Sequence, residues 1–189
     1  MKPYSLAIAT GTFALMLSLQ SAPAWAGKFH LSSPSLSPSS TLPIEQVFSG
    51  LGCSGGNVSP ALSWSNAPVG TQSYAVTLFD PDAPTDSGWW HWVVINLPAD
   101  TNGLEKTAGD TSGHALPAGA VQVRTDFGQA GFGGACPPPG NKPHRYIFTI
   151  YALKTAKLDL PENASAALAS FMIRANAIGK ASLTTRYGR

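Results

Sequence analysis

Three stretches of the chain concentrate the β-branched and aromatic residues of buried strands, each bounded by turn-forming residues. They cover residues 74–79, 91–97 and 144–153, and the last is the longest and apolar on both faces. Such a two-sided run predicts an interior strand between covered layers. Helical spacing occurs once: Leu168, Phe171, Met172, Ala175 and Ile178 recur at intervals of three and four, between Pro161, suited to a first helical position, and Gly179, a C-terminal stop. That stripe reads as the core-facing side of the helix. Residues 181–187 predict a last strand closing the sheet. Upstream, the Ser- and Pro-rich residues 27–43, anchored by Leu31 and Leu36, predict an extended lead-in with at most one short strand; residues 44–49 predict a second strand and residues 50–60 a loop. With no internal repeat and no long linker, the economical reading is one domain, mainly β, with one or two helices.

Composition agrees. At 43% hydrophobic, 189 residues support one sizeable core, and Gly and Pro together make up 35 of them, a level that suits turn-rich β architecture. Twelve Lys and Arg against ten Asp and Glu leave a formal charge of +2, and no stretch gathers five basic residues. The electrostatic footprint of a nucleic-acid binder is missing.

Residues 1–26 read as a secretory signal: Lys2, an apolar run from Leu6 to Leu19, then the small-x-small cleavage pattern Ala24-Trp25-Ala26. The run is about 14 residues, short of the roughly 20 that a membrane anchor needs. Cleavage after Ala26 leaves a domain of residues 27–189, without a transmembrane anchor, in the periplasm or secreted. Outside the cytoplasm the even pair Cys53 and Cys136 defaults to a disulfide, the alternative being two buried free thiols.

Several motif matches fail on context. Gly52-Cys53-Ser54-Gly55-Gly56 has nucleophile-elbow spacing, and residues 50–55 fit the dinucleotide fingerprint, but no helix follows either. Asp126-Phe127-Gly128 matches a kinase tripeptide in a chain that lacks the other kinase motifs.

Three polar blocks remain, all at the ends of apolar strands. Asp80-Pro81-Asp82-Ala83-Pro84 places two carboxylates at a strand exit with proline restricting the backbone; Trp89-Trp90-His91-Trp92 puts an imidazole at a strand entrance; and the Pro137-Pro138-Pro139-Gly140 turn delivers His144, Arg145 and Tyr146. Carboxylates do not bind an anion themselves, so Asp80 and Asp82 are expected to hold His91 and His144 as hydrogen-bond donors around a small anion pocket. Held in this way, both imidazoles would protonate more readily, and anion affinity would weaken as pH rises.

In these blocks the sequence resembles the phosphatidylethanolamine-binding proteins, also called the Raf kinase inhibitor protein family. Gly56-Asn57-Val58-Ser59-Pro60, Thr125-Asp126-Phe127-Gly128 and Gly131-Phe132-Gly133-Gly134 are similar to the bacterial YbhB/YbcL-like branch, and the cysteines and signal segment to its exported YbcL-like members. The resemblance implies a β-sandwich-like single domain and a ligand pocket formed by Asp80, Asp82, His91, Pro138, His144 and Tyr146. It implies a binding module for a phosphate-bearing or similar anionic ligand, such as a lipid headgroup, with no cofactor and no catalytic residue. An inhibitor or signalling partner acting through its surface is the alternative. A hydrolase using His91, His144, Asp80 and Asp82 as metal ligands is a third reading, weakened by the absence of a nucleophile motif.

Overall fold

A computed structural model describes Met1 and residues 27–189; the signal segment and its cleavage point lie outside the described residues. The described residues form ten strands: β1 (His30–Ser32), β2 (Ser49–Gly50), β3 (Cys53–Ser54), β4 (Leu62–Ser65), β5 (Ser73–Asp80), β6 (Trp89–Pro98), β7 (Gly103–Leu104), β8 (Val121–Gln122), β9 (His144–Leu153) and β10 (Ala177–Tyr187), with helix α1 (Ala166–Asn176) before the last. A five-stranded antiparallel sheet in the order β10-β9-β5-β6-β8 faces a three-stranded sheet, β1-β4-β7. The three long apolar runs are β5, β6 and β9, adjacent in the larger sheet as two-sided burial requires. Alternation along β5 explains the two covers. Tyr74, Val76 and Leu78 join Leu31, Leu62 and Trp64 between the sheets, whereas Ala75 belongs to a second cluster with Val93, Tyr151, Ala169 and Ile173 beneath the helix. The described residues form a single β-sandwich domain with one α-helix.

Two expectations change. Residues 44–49 do not form a strand: Ile44–Gln46 is a turn of 3-10 helix after Pro43, Val47 makes an isolated parallel bridge to Ala135, and only Ser49 enters β2. The loop at 50–60 likewise contains a tight hairpin, with Gly50 paired to Cys53. The helix is also displaced and turned. Its cap is Ser165, whose side chain accepts from the Leu168 amide, and Pro161 instead opens the preceding turn; after Asn176 the chain enters β10 directly, so Gly179 lies within a strand. The predicted stripe faces outward: Leu168, Phe171, Ala175 and Ile178 are exposed and Met172 is half-buried. Ala166, Ala169, Ser170 and Ile173 meet the sheet, because small side chains let the helix backbone approach it closely.

Candidate ligand site

The ends of strands β5, β6 and β9 meet at one end of the large sheet and border a cavity of about 180 Å³. Asp80, His91, Pro138, His144 and Tyr146 line it, as do Leu51, Pro84, Thr85, Trp89, Phe127 and Pro137. Register explains the convergence. Asp80 and His144 terminate neighbouring strands, and Tyr146 lies two residues along β9 from His144, on the same face.

At the floor, His144 Nδ1 donates to Asp80 Oδ2 at 2.7 Å, while Asp80 Oδ1 accepts the Asp82 amide at 2.8 Å. Asn141 Nδ2 lies 3.3 Å from His144 Nε2 and donates to it. Both ring nitrogens of His144 are therefore engaged within the protein. His91 is held differently from the expectation: its Nδ1 donates to the Gly133 carbonyl at 2.8 Å, not to a carboxylate. A carbonyl only accepts, so Nδ1 carries the hydrogen and Nε2 is the lone-pair nitrogen of the neutral ring. Tyr146 and Phe127 pack edge-on against that ring, with centroids 5.2 and 5.4 Å away, and fix its orientation.

Burial governs the titration. Desolvation lowers the His91 pKa, outweighing the Gly133 carbonyl and the Asp80 charge, so this imidazole protonates less readily than the sequence argument expected. Because its folded pKa lies below the unfolded value of 6.5, the neutral ring supports the fold above that pH, and the support is lost as pH falls through the lowered value. Desolvation also pushes the Tyr146 phenol up, leaving it a protonated donor at any physiological pH.

Asp82 does not join the cavity. It turns away and binds Arg145 through three contacts, accepting Nε at 2.8 Å and the amide at 2.8 Å on Oδ2, and Nη2 at 2.7 Å on Oδ1. Hydrogen bonding to the Arg145 side chain lowers the Asp82 pKa to about 2. Substitution Asp82→Asn is expected to cost on the order of 1 kcal/mol after allowing for solvent screening of this partly exposed pair. The loss should vanish on acidification from the unfolded value near 3.8 through 2, measurable as converging urea midpoints of variant and wild type.

The apolar wall was not singled out from the sequence. Phe127 stacks on Phe48 at 4.5 Å and meets Trp89 edge-on at 5.5 Å, an approach that Gly133 permits, since a Cβ there would sit 2.3 Å from the Phe127 ring. Leu51, between Gly50 and Gly52 at the β2–β3 tip, adopts a left-handed φ of 51° and forms one lip. The Cys53–Cys136 disulfide, with Cα atoms 5.9 Å apart, ties this hairpin to the Pro137 wall. Arg189 adds a second tie, donating to the Pro137 and Gly52 carbonyls at 2.8 and 2.6 Å. Among the described residues, no three His, Cys, Asp or Glu side chains gather as a metal site.

A family model described as "Phosphatidylethanolamine-binding protein" matches residues 32–188. The chain belongs to the phosphatidylethanolamine-binding protein family. Within the family it is 53% identical over 164 residues to Escherichia coli UPF0098 protein YbcL, covering 87% of this chain and 90% of that one, and 50% identical over 147 residues to E. coli YbhB, covering 77% and 91%. A crystal structure of E. coli YbcL, described as a new member of the mammalian PEBP family, superposes with a TM-score of 0.85 at 52% identity, covering 86% of this chain and 99% of that one. A Mycobacterium tuberculosis relative named as the lipoprotein LppC is 35% identical over 153 residues, covering 81% of this chain and 69% of the relative. The β-sandwich expected from the resemblance is the family fold.

Proposed function

We propose that this protein is a binding module of the periplasm or extracellular space whose cavity receives a small phosphate-bearing group attached to an apolar body. The observation that carries the reading is the buried pair of His91 and Tyr146. His91 Nε2 makes no hydrogen bond within the described residues, and the neighbouring Tyr146 phenol is a protonated donor; both belong to a cavity that Asp80, Thr85 and His144 also line, beside an apolar wall of Leu51, Trp89, Phe127 and proline. A phosphate monoester complements that pair by bringing one proton to share with Nε2, whether the proton resides on the ring or on a phosphate oxygen, while another oxygen accepts from Tyr146. A cavity of about 180 Å³ holds a headgroup and a few carbons, so the remainder of a larger ligand would lie across the exposed lip at Leu51. The export reading draws on the signal-like residues 1–26, the disulfide and the lipoprotein relative.

Calorimetric titration with phenyl phosphate tests the proposal. Wild type should bind with net proton uptake at pH 7, read from the dependence of the heat on buffer ionisation enthalpy, and affinity should rise as pH falls. Tyr146→Phe should weaken binding by roughly two- to tenfold, the range for one neutral hydrogen bond. No measurable heat in wild type, or unchanged affinity in Tyr146→Phe and His91→Gln together, would refute the assignment.

A further inference from the structure

On the opposite face of the same strand ends, β9 and β10 place two cations directly against each other. Arg145 and Arg186 are register partners, so their side chains leave the sheet on one face, as those of Tyr146 and Thr185 do on the buried face. Like charges opposite one another in an antiparallel pair are unfavourable unless something answers them. Asp82 answers only Arg145, and both its oxygens are used in doing so. Lys142, on the adjoining turn, and Arg186 form no ion pair among the described residues. These side chains line an open cleft of about 460 Å³ together with Asn141, Pro143 and His144. Three cations thus share one carboxylate, although Lys and Arg outnumber Asp and Glu by only two in the entire chain.

We propose that this cleft is a second anion site, separate from the cavity, which takes a phosphate group through Arg186 and Lys142 with Arg145 contributing field. The planar guanidinium of Arg186 suits bidentate phosphate binding, and Lys142 can close from the turn as a point charge. A bound phosphate would cancel the cross-strand repulsion that Asp82 leaves unanswered. Because the cleft is open, its occupancy falls steeply with ionic strength. His144 borders both sites, yet the proposal does not depend on the cavity being a phosphate site, since the two have separate reporters.

The phosphate could be free or the headgroup of an anionic lipid, and two arms of one experiment distinguish them. In the first, inorganic phosphate is titrated at low ionic strength while the Nε–H signals of Arg145 and Arg186 and the His91 ring are followed by NMR. The arginine signals should move saturably; Arg186→Gln should weaken that response at least fivefold, Lys142→Gln should weaken it less, and neither should alter the response at His91. In the second, sedimentation with phosphatidylglycerol vesicles should carry wild type down and leave Arg186→Gln in solution if lipid is the source. A response lost in Arg186→Gln in either arm supports the site. Arginine signals that move equally with sodium chloride at matched ionic strength would overturn it. So would phosphate and vesicle responses unchanged in Arg186→Gln, or perturbation at His91 alone.

Discussion

Replacing both Cys53 and Cys136 by alanine is expected to lower the stability of the protein by about 4 to 5 kcal/mol. The disulfide spans 83 positions, and closing a loop of that length removes this much entropy from the unfolded chain on the chain-entropy model. For a domain of this size the loss corresponds to roughly 10 to 15 °C in Tm, readable by calorimetry under oxidising conditions. Little of the folded structure should change at low temperature, because Arg189 still ties the Gly52 and Pro137 carbonyls across the same gap. Adding Arg189→Ala to the cysteine double variant removes both ties and should release the Leu51 lip, so ligand affinity should drop beyond the loss in either background alone. Equal Tm values for the double alanine variant and the oxidised wild type would show that the crosslink does not constrain the unfolded chain.

The second large effect belongs to the pair of Asp80 and His144. Both side chains are nearly inaccessible, at 3% and 4% exposure, and 2.7 Å apart, so removing either partner leaves the other buried without its match. Asp80→Ala is expected to cost about 1 to 3 kcal/mol, the range for leaving a buried imidazole N–H without its acceptor. His144→Ala should cost more, about 3 to 5 kcal/mol, by stranding the buried Asp80 carboxylate, so it is a poor probe of ligand affinity. His144→Asn is the informative variant: its amide can still donate toward Asp80, and most of the stability should return in urea unfolding. If Asp80→Ala and His144→Ala unfold at the same urea concentration as wild type, the pair is not a structural anchor.

Much of the architecture was legible because the strands β5, β6 and β9 are covered on both faces and need continuous apolar runs. The polar part of the cavity was legible for a related reason: Asp80, His91, His144 and Tyr146 are expensive to bury, and their clustering at the ends of such strands calls for an explanation. Its apolar part was not. Leu51, Trp89 and Phe127 look like any core residue until the tertiary packing leaves a void beside them. Asp82 carried the same local signature as Asp80, and only the fold reveals that Arg145 lies within its reach. The helix was misoriented because it carries two stripes at helical spacing. Size pointed to Leu168 and Phe171, whereas the close approach to the sheet selected Ala166, Ala169 and Ser170.

The nitrogen spectrum of the His91 ring is the most direct test of the cavity as a phosphate-group site. In the free protein at pH 7, Nδ1 should show the shift of a protonated ring nitrogen and Nε2 that of an unprotonated one, as the bond to Gly133 and the burial of the ring require. Titration with phenyl phosphate should move Nε2 toward its protonated value in step with occupancy, and the movement should be absent in protein to which the same concentration of phenol is added. An Nε2 signal that stays fixed through saturating phenyl phosphate, in folded wild-type protein, would contradict the account.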